Sequence, residues 1–172
     1  MVTMIMEALK SVRNAHFFTT ERGYQGEFLA ELRRFLPGVG LPGDAIVEQE
    51  YQKRLAAHGI NVRPDLIIHI PTPVGQDRRR DNFVVFELNL QAGPAESRGD
   101  FENLDTVVGA LDYPLAVFVN IASDRTQARH YRGPFRGRLH CFAVRIANGH
   151  LAFRHAHWLN GEGLKEEYED VA

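Results

Sequence analysis

Two apolar segments constrain this chain more than any other feature. They are Arg63-Pro64-Asp65-Leu66-Ile67-Ile68-His69-Ile70 and Phe83-Val84-Val85-Phe86-Glu87-Leu88-Asn89-Leu90. Both read as strands, and each carries one carboxylate, Asp65 or Glu87. Ionised carboxylates rarely sit in apolar runs unless something compensates the charge. A divalent cation is the simplest agent that would compensate both.

The rest of the chain supplies a core for those strands. Its 172 residues suit a single domain spanning 1–172. Hydrophobic residues make up 44% and charged residues 24%, ordinary values for a water-soluble globular protein. The lone cysteine, Cys141, excludes an internal disulfide and fits a reducing compartment. It sits in the apolar run Leu139 to Val144 and reads as a core thiol. The N-terminal segment mixes Glu7 and Lys10 with apolar residues and has no basic start, so it does not read as a signal peptide. No apolar run approaches the ~20 residues of a membrane span. A cytoplasmic location is the expectation. The formal charge of −2 excludes binding of nucleic acid by bulk charge.

Helical spacing predicts helices over Thr3–Ala15, Gly23–Leu36 and Asp100–Leu111. Strands are predicted over Ala45 to about Leu55, Val62–Ile70, Asn82–Leu90 and Leu115–Ile121, the last apolar enough to be central. The strand pair around Asp65 and Glu87 is expected to be antiparallel. Ala92–Gly99 reads as a loop, and Asp124–Gly137 as an Arg-rich loop or short helix. Leu139–Ile146 and Leu151–Trp158 read as a hairpin across Asn148-Gly149. The acidic tail, about 165–172, is expected to fray.

Asp65 follows Pro64, which cannot join a ladder, so it sits at a strand start. Glu87 lies in the body of the next strand. Paired strands would converge these side chains on one face, and carboxylates with a main-chain carbonyl make a hard oxygen site that Mg²⁺ accepts. The plain structural alternative is that Asp65 caps a turn and Glu87 pairs with an arginine.

Pro64-Asp65 and Glu87-Leu88-Asn89, in their order of helix, strands, helix and apolar strand, resemble the PD-(D/E)XK nuclease superfamily. The resemblance covers roughly Gly23 to Ile121. It implies an α/β, restriction-endonuclease-like core: a central mixed β-sheet flanked by helices, here with an added C-terminal β-hairpin. It also implies Mg²⁺- or Mn²⁺-dependent hydrolysis of phosphodiesters, with DNA as the expected partner and a homodimer as one way to cut two strands. Asp65, Glu87 and the Leu88 carbonyl would bind the metal. A helix glutamate completes the family's site, and Glu27 matches that place best, with Glu31 as the alternative. Gln91 would help line the site.

The departure from the pattern is Asn89, where the family carries a lysine that positions water and stabilises charge. Asparagine can hydrogen-bond water or phosphate but supplies no positive charge. Three readings stay open. Asn89 is a tolerated variant; or a cation from elsewhere fills the place, with Lys53 on the preceding strand favoured over Arg98; or the chain is a weakened or inactive nuclease-fold module that binds nucleic acid or a protein.

Two further clusters stand out. Arg125, Arg129, Arg132, Arg136 and Arg138 alternate with His130, Tyr131 and Phe135, a pattern that suits either phosphate tracking or a solvated loop. Arg78-Arg79-Arg80 is flanked by Asp77 and Asp81 and reads as self-neutralised. His150, His155 and His157 lie close together, and His155 and His157 share a strand face. No third and fourth ligand at zinc spacing is evident in the sequence.

Overall fold

The computed structural model describes residues 1–49, 60–71, 81–159 and 161–171. Helix α1 covers Val2–Ser11, a 3₁₀ turn covers Ala15–Thr19, and helix α2 covers Glu21–Phe35. Strands β1 (Ile46–Gln49), β2 (Leu66–His69) and β3 (Asn82–Leu90) follow. Helix α3 (Pro94–Leu111) leads to β4 (Leu115–Ile121), and two short 3₁₀ turns lead to β5 (Leu139–Ala147). Strands β6 (His150–Leu159) and β7 (Gly163–Val171) complete the chain.

The seven strands form one mixed sheet in the order β1-β2-β3-β4-β5-β6-β7. The β1-β2-β3 and β5-β6-β7 pairs are antiparallel, and β3-β4-β5 are parallel. The parallel β3–β4 step requires a crossover, which α3 supplies. Strand β4 is buried along its whole length, as expected of the middle of a sheet covered on both faces.

Side-chain alternation divides the core in two. Helices α1 and α2 bury Ile5, Leu9, Phe28 and Leu32 against Leu66, Phe86, Val117 and Phe142. On the other face α3 buries Phe101, Leu104 and Val107 against Ile67, Val85, Phe118 and Cys141. Asp65, Glu87 and Asn89 share the alternation of Ile67 and Val85, so they belong to the α3 face.

Several boundaries differ from expectation for identifiable reasons. Helix α2 begins at Glu21 because Thr20 caps it, accepting from the Gly23 N–H at 3.1 Å. Helix α3 begins at Pro94, within the predicted loop, because proline's fixed φ suits a first helical turn. Strand β1 is described only to Gln49, and Lys53 and Arg78-Arg79-Arg80 lie outside the described residues. The hairpin turn is as predicted, with Asn148 and Gly149 at φ 53° and 80°.

The tail corrects the expectation of fraying. Gly163–Val171 is an edge strand in register with β6 along Leu151–Leu159. Lys10 ties it to α1 through a 2.6 Å bond to Glu169. The C-terminal addition is therefore a three-stranded meander, longer than a hairpin.

Candidate metal centre

The antiparallel ladder pairs Leu66 with Phe86, which sets Asp65 beside Glu87. Asp65 Oδ2 accepts from the Leu88 N–H at 2.7 Å. The Asp65 carbonyl accepts from Gln25 Nε2 at 3.0 Å, joining the start of β2 to α2. Phe28 packs edge-on against Phe86 at 5.8 Å and holds α2 to β3. The sheet and α2 thus position the carboxylates with backbone bonds and aromatic packing.

Glu87 is 5% exposed, and its Oε1 has no hydrogen-bond partner. The two carboxyls act on each other, their interaction lowering Asp65 and raising Glu87. Burial, then the charges of Asp65 and Asp100, raises the Glu87 carboxyl well above the usual range. Burial raises Asp65 to about 6, against the lowering effect of its bond to Leu88. The strongest outside charges on this pair come from Glu21 and Asp100, both acidic. A buried carboxylate pair in an acidic field can ionise fully only with a cation present.

Asp100 was not among the expected residues. It projects from the second turn of α3, and its Oδ2 accepts from Asn89 Nδ2 at 3.0 Å. Burial also raises its carboxyl above the usual range. Its signal in the sequence was Pro94 at the helix start, which puts Ser97, Asp100 and Leu104 on the inward face.

Of the α2 glutamates, Glu21 is the one whose charge raises the Asp65 and Glu87 carboxyls. Glu21 shares a helix face with Gln25 and Phe28, at spacings of four and seven. Glu27 lies about 120° round the helix from Glu21. The alternative, Glu31, is bound to Arg34.

Asn89 and Gln91 lie further along the same strand. Gln91 is exposed and adopts φ 57°, and its N–H donates to the Ile121 carbonyl at 2.8 Å. The next residue, Ala92, is fastened on both backbone groups. Its N–H donates to Asn120 Oδ1 at 2.8 Å, and its carbonyl accepts from Asn120 Nδ2 at 3.1 Å and Gln127 Nε2 at 2.8 Å. This knot fixes the passage from β3 into α3, and so the position of Asp100 relative to Asn89. Arg98 is exposed and sits about 160° round α3 from Asp100.

The arginine segment divides. Arg125 and Arg129 follow the C-terminal end of β4, the edge that carries Asn89. They line a groove of about 250 Å³ with Thr126, Gln127, His130 and Arg154. Arg129 also meets Glu166 at 3.2 Å. Arg132 bonds the carbonyls of Arg129 and Tyr131, which braces its own loop. Arg136 and Arg138 precede β5, at the opposite end of the parallel strands. Arg138 donates to Asp112 at 2.7 Å and to the Tyr113 carbonyl at 3.1 Å, a structural role. The five arginines therefore do not form one surface.

Among the described residues, no helix is long and apolar enough to cross a membrane. No protein-family model matches the sequence, and no curated protein sequence matches it. Solved structures do match the fold. The cAAA-bound form of NucC from P. aeruginosa ATCC27853 is similar over 98% of this chain and 78% of its own, at TM-score 0.54 and 12% identity. The cAAA-bound form of NucC from E. coli MS115-1 is similar over 97% and 78%, at TM-score 0.55 and 12% identity. The fold is the restriction-endonuclease-like α/β arrangement: a mixed seven-stranded sheet flanked by helices.

Proposed function

We propose that this protein is a divalent-metal-dependent nuclease that hydrolyses phosphodiesters in DNA. One observation carries the reading: Asp65 and Glu87 are held together in a buried, acidic setting, and Glu87 Oε1 lacks a partner. Fold alone would not support it.

The donor set fits Mg²⁺ or Mn²⁺, which take hard oxygen ligands. Asp65 and Glu87 would hold the ion, with Glu21 in the place foreseen for Glu27. The Leu88 carbonyl leaves β3 on the same side as its N–H, which already meets Asp65, so it too opens toward this edge. A bound ion supplies charge stabilisation for phosphoryl oxygens and a lowered pKa for water. Glu87 gives up its proton when the site loads. The Leu88 N–H keeps Asp65 from turning away. Asn89, held by Asp100, presents an amide for a water or phosphate oxygen. Arg125 and Arg129 line the adjoining groove, where a backbone phosphate would meet their guanidinium groups. These roles extend to a cytoplasmic protein working on intracellular DNA, alone or as a homodimer.

The Asn89–Asp100 bond favours a second reading, a weakened nuclease-fold module that binds DNA and cuts slowly. Asn89 brings no positive charge, and one of its two amide N–H groups is already given to Asp100. Mn²⁺ titration by calorimetry, with plasmid and oligonucleotide cleavage in parallel, separates the two. Metal binding with cleavage supports the nuclease. Metal binding without cleavage of single- or double-stranded DNA supports the weakened module. No metal binding by folded protein removes both as metal-site proteins.

A further inference from the structure

On the opposite face of the sheet, beyond β4, three histidines converge. His140 on β5 pairs in register with His157 on β6, and His155 lies one alternation further along β6. All three share the face of Phe142 and Phe153, which belong to the α1–α2 core. The ligating nitrogens of the three rings lie within 4.8 Å of one another. The rings are within 18° of parallel.

We propose that His140, His155 and His157 form a Zn²⁺ site, with Glu167 of β7 orienting His155 and solvent taking the fourth position. His155 is 4% exposed, yet its Nδ1 has no hydrogen-bond partner, and the His157 Nδ1 is buried without one as well. A buried ring nitrogen without a partner is costly and calls for an explanation. His140 Nδ1 and His155 Nε2 share a hydrogen bond of 2.8 Å, one ring donating to the other, and an ion would take the place of the shared proton. A tetrahedral ion with Zn–N bonds of ~2.0–2.1 Å needs its ligand nitrogens about 3.3 Å apart, so this pair opens by about half an ångström to admit one.

The surroundings supply what such a site needs. Glu167 faces His155 across the β6–β7 ladder, with Oε2 3.9 Å from His155 Nδ1. That distance is too long for a hydrogen bond, and Glu167 Oε1 meets Lys165 at 2.6 Å; Glu167 would have to close on the ring to fix its tautomer and orientation, as a carboxylate behind a ligating histidine does. Imidazole ligates in its neutral form. A cavity of about 260 Å³, lined by Met6, Phe153, His155, Glu167, Tyr168 and Glu169, adjoins the cluster. It gives an ion a route in and a water its place. Imidazole donors select zinc and its neighbours over magnesium, so this site and the oxygen-lined one would take different ions.

The same feature escaped the sequence because His140 lies fifteen positions before His155. Only the hairpin register brings them together. His150, the nearer histidine, is exposed at the turn beside Ala147.

The test is Zn²⁺ titration of the untagged, metal-free full chain by calorimetry, in an Asp65→Asn/Glu87→Gln background that removes the carboxylate pair. One equivalent is expected to bind. His157→Gln, at a half-buried position, is expected to weaken binding at least tenfold, and Glu167→Gln by roughly 10- to 100-fold. Circular dichroism checks that each variant folds. Zinc should also shift the ring ¹⁵N resonances of His140 and His155, which keeps the proposal testable if a variant unfolds. No zinc binding by the folded parent, or equal binding by a folded His157→Gln, overturns it. The carboxylate-site reading stands or falls separately, on Mn²⁺ binding by the wild type.

Discussion

The Asp65 carboxylate rests on the backbone of Leu88, taking its N–H at 2.7 Å where the β2–β3 ladder has already ended. The bond acts as a further ladder step. It keeps an acid at the strand end pointed at Glu87 and prevents it from reaching into solvent.

Removing the charge without the shape tests that arrangement. Asp65→Asn and Glu87→Gln should each abolish measurable Mn²⁺ binding in calorimetry. Each should lower cleavage by about 10²–10³, the usual cost of one preorganised electrostatic partner. Glu87→Gln should also raise the melting temperature of the metal-free protein at neutral pH, since a carboxyl held well above its usual range costs stability there and an amide does not titrate. A destabilised Glu87→Gln would contradict the pairing of the two carboxyls.

The pH dependence of stability should reveal both clusters. Asp65 titrates at about 6 when folded and 3.8 as a free group. It therefore stabilises the fold fully below 3.8 and loses that contribution as pH rises to about 6, roughly 3 kcal/mol in all. His140 and His155 run the other way. Their folded values of about 4 lie below 6.5, so stability falls as pH drops from 6.5 to 4. In urea melts, the metal-free wild type should gain less stability with rising pH than the carboxylate-free variant, because the Asp65 trend opposes the histidine trend. Asp65→Asn/Glu87→Gln should instead gain stability steeply as pH rises through that window. Parallel curves for the two proteins would refute the assignment.

Glu21 and Glu27 make a matched pair for the helix ligand. Glu21→Gln should weaken Mn²⁺ binding about tenfold or more and lower the Asp65 pKa, read from its carboxyl ¹³C shift. Glu27→Gln should leave both unchanged. The reverse outcome would restore the assignment made from sequence.

Asn89→Lys asks what the missing charge costs. If the site is a weakened nuclease, cleavage should rise by the order of 10², the size of one oriented charge. If Lys53 already fills that role, Asn89→Lys should do nothing and Lys53→Ala should remove cleavage.

The arginines should separate by position. Arg125→Ala/Arg129→Ala should weaken DNA binding and lower the salt slope by about 0.9 for each phosphate the protein no longer neutralises. Arg138→Ala should leave the slope unchanged and lower the melting temperature, because it frees Asp112 and the Tyr113 carbonyl.

Most of the sheet was legible because its strands are short apolar runs of distinct period. The antiparallel pairing, the central β4 and the Asn148-Gly149 turn followed from local chemistry alone. The restriction-endonuclease-like arrangement was what the resemblance of Pro64-Asp65 and Glu87-Leu88-Asn89, in their order of elements, implied. What escaped depended on partners distant in sequence. A tail rich in acids reads as solvated, yet it pairs with β6, and Leu164 and Val171 at its two ends pack against the two core clusters. Glu21 and Asp100 escaped because both helices start earlier than their apolar periodicity, at a capping threonine and a first-turn proline. Asp65, Glu87 and Asn89 were legible as neighbours. That Asn89 is occupied by Asp100 was not, since nothing in the chain announces which amide meets which acid.

The order of strands in space follows their order along the chain. Each cluster is consequently drawn from one continuous stretch, Glu21 to Asp100 for the carboxylates and His140 to Glu167 for the histidines. Neither has to wait for the far end of the sheet. An emerging chain could complete the first before the second has been synthesised, and loss of β7 would take Glu167 from the histidines while leaving the carboxylates in place. The molecule is two small workshops on one floor, each furnished by its own length of polypeptide.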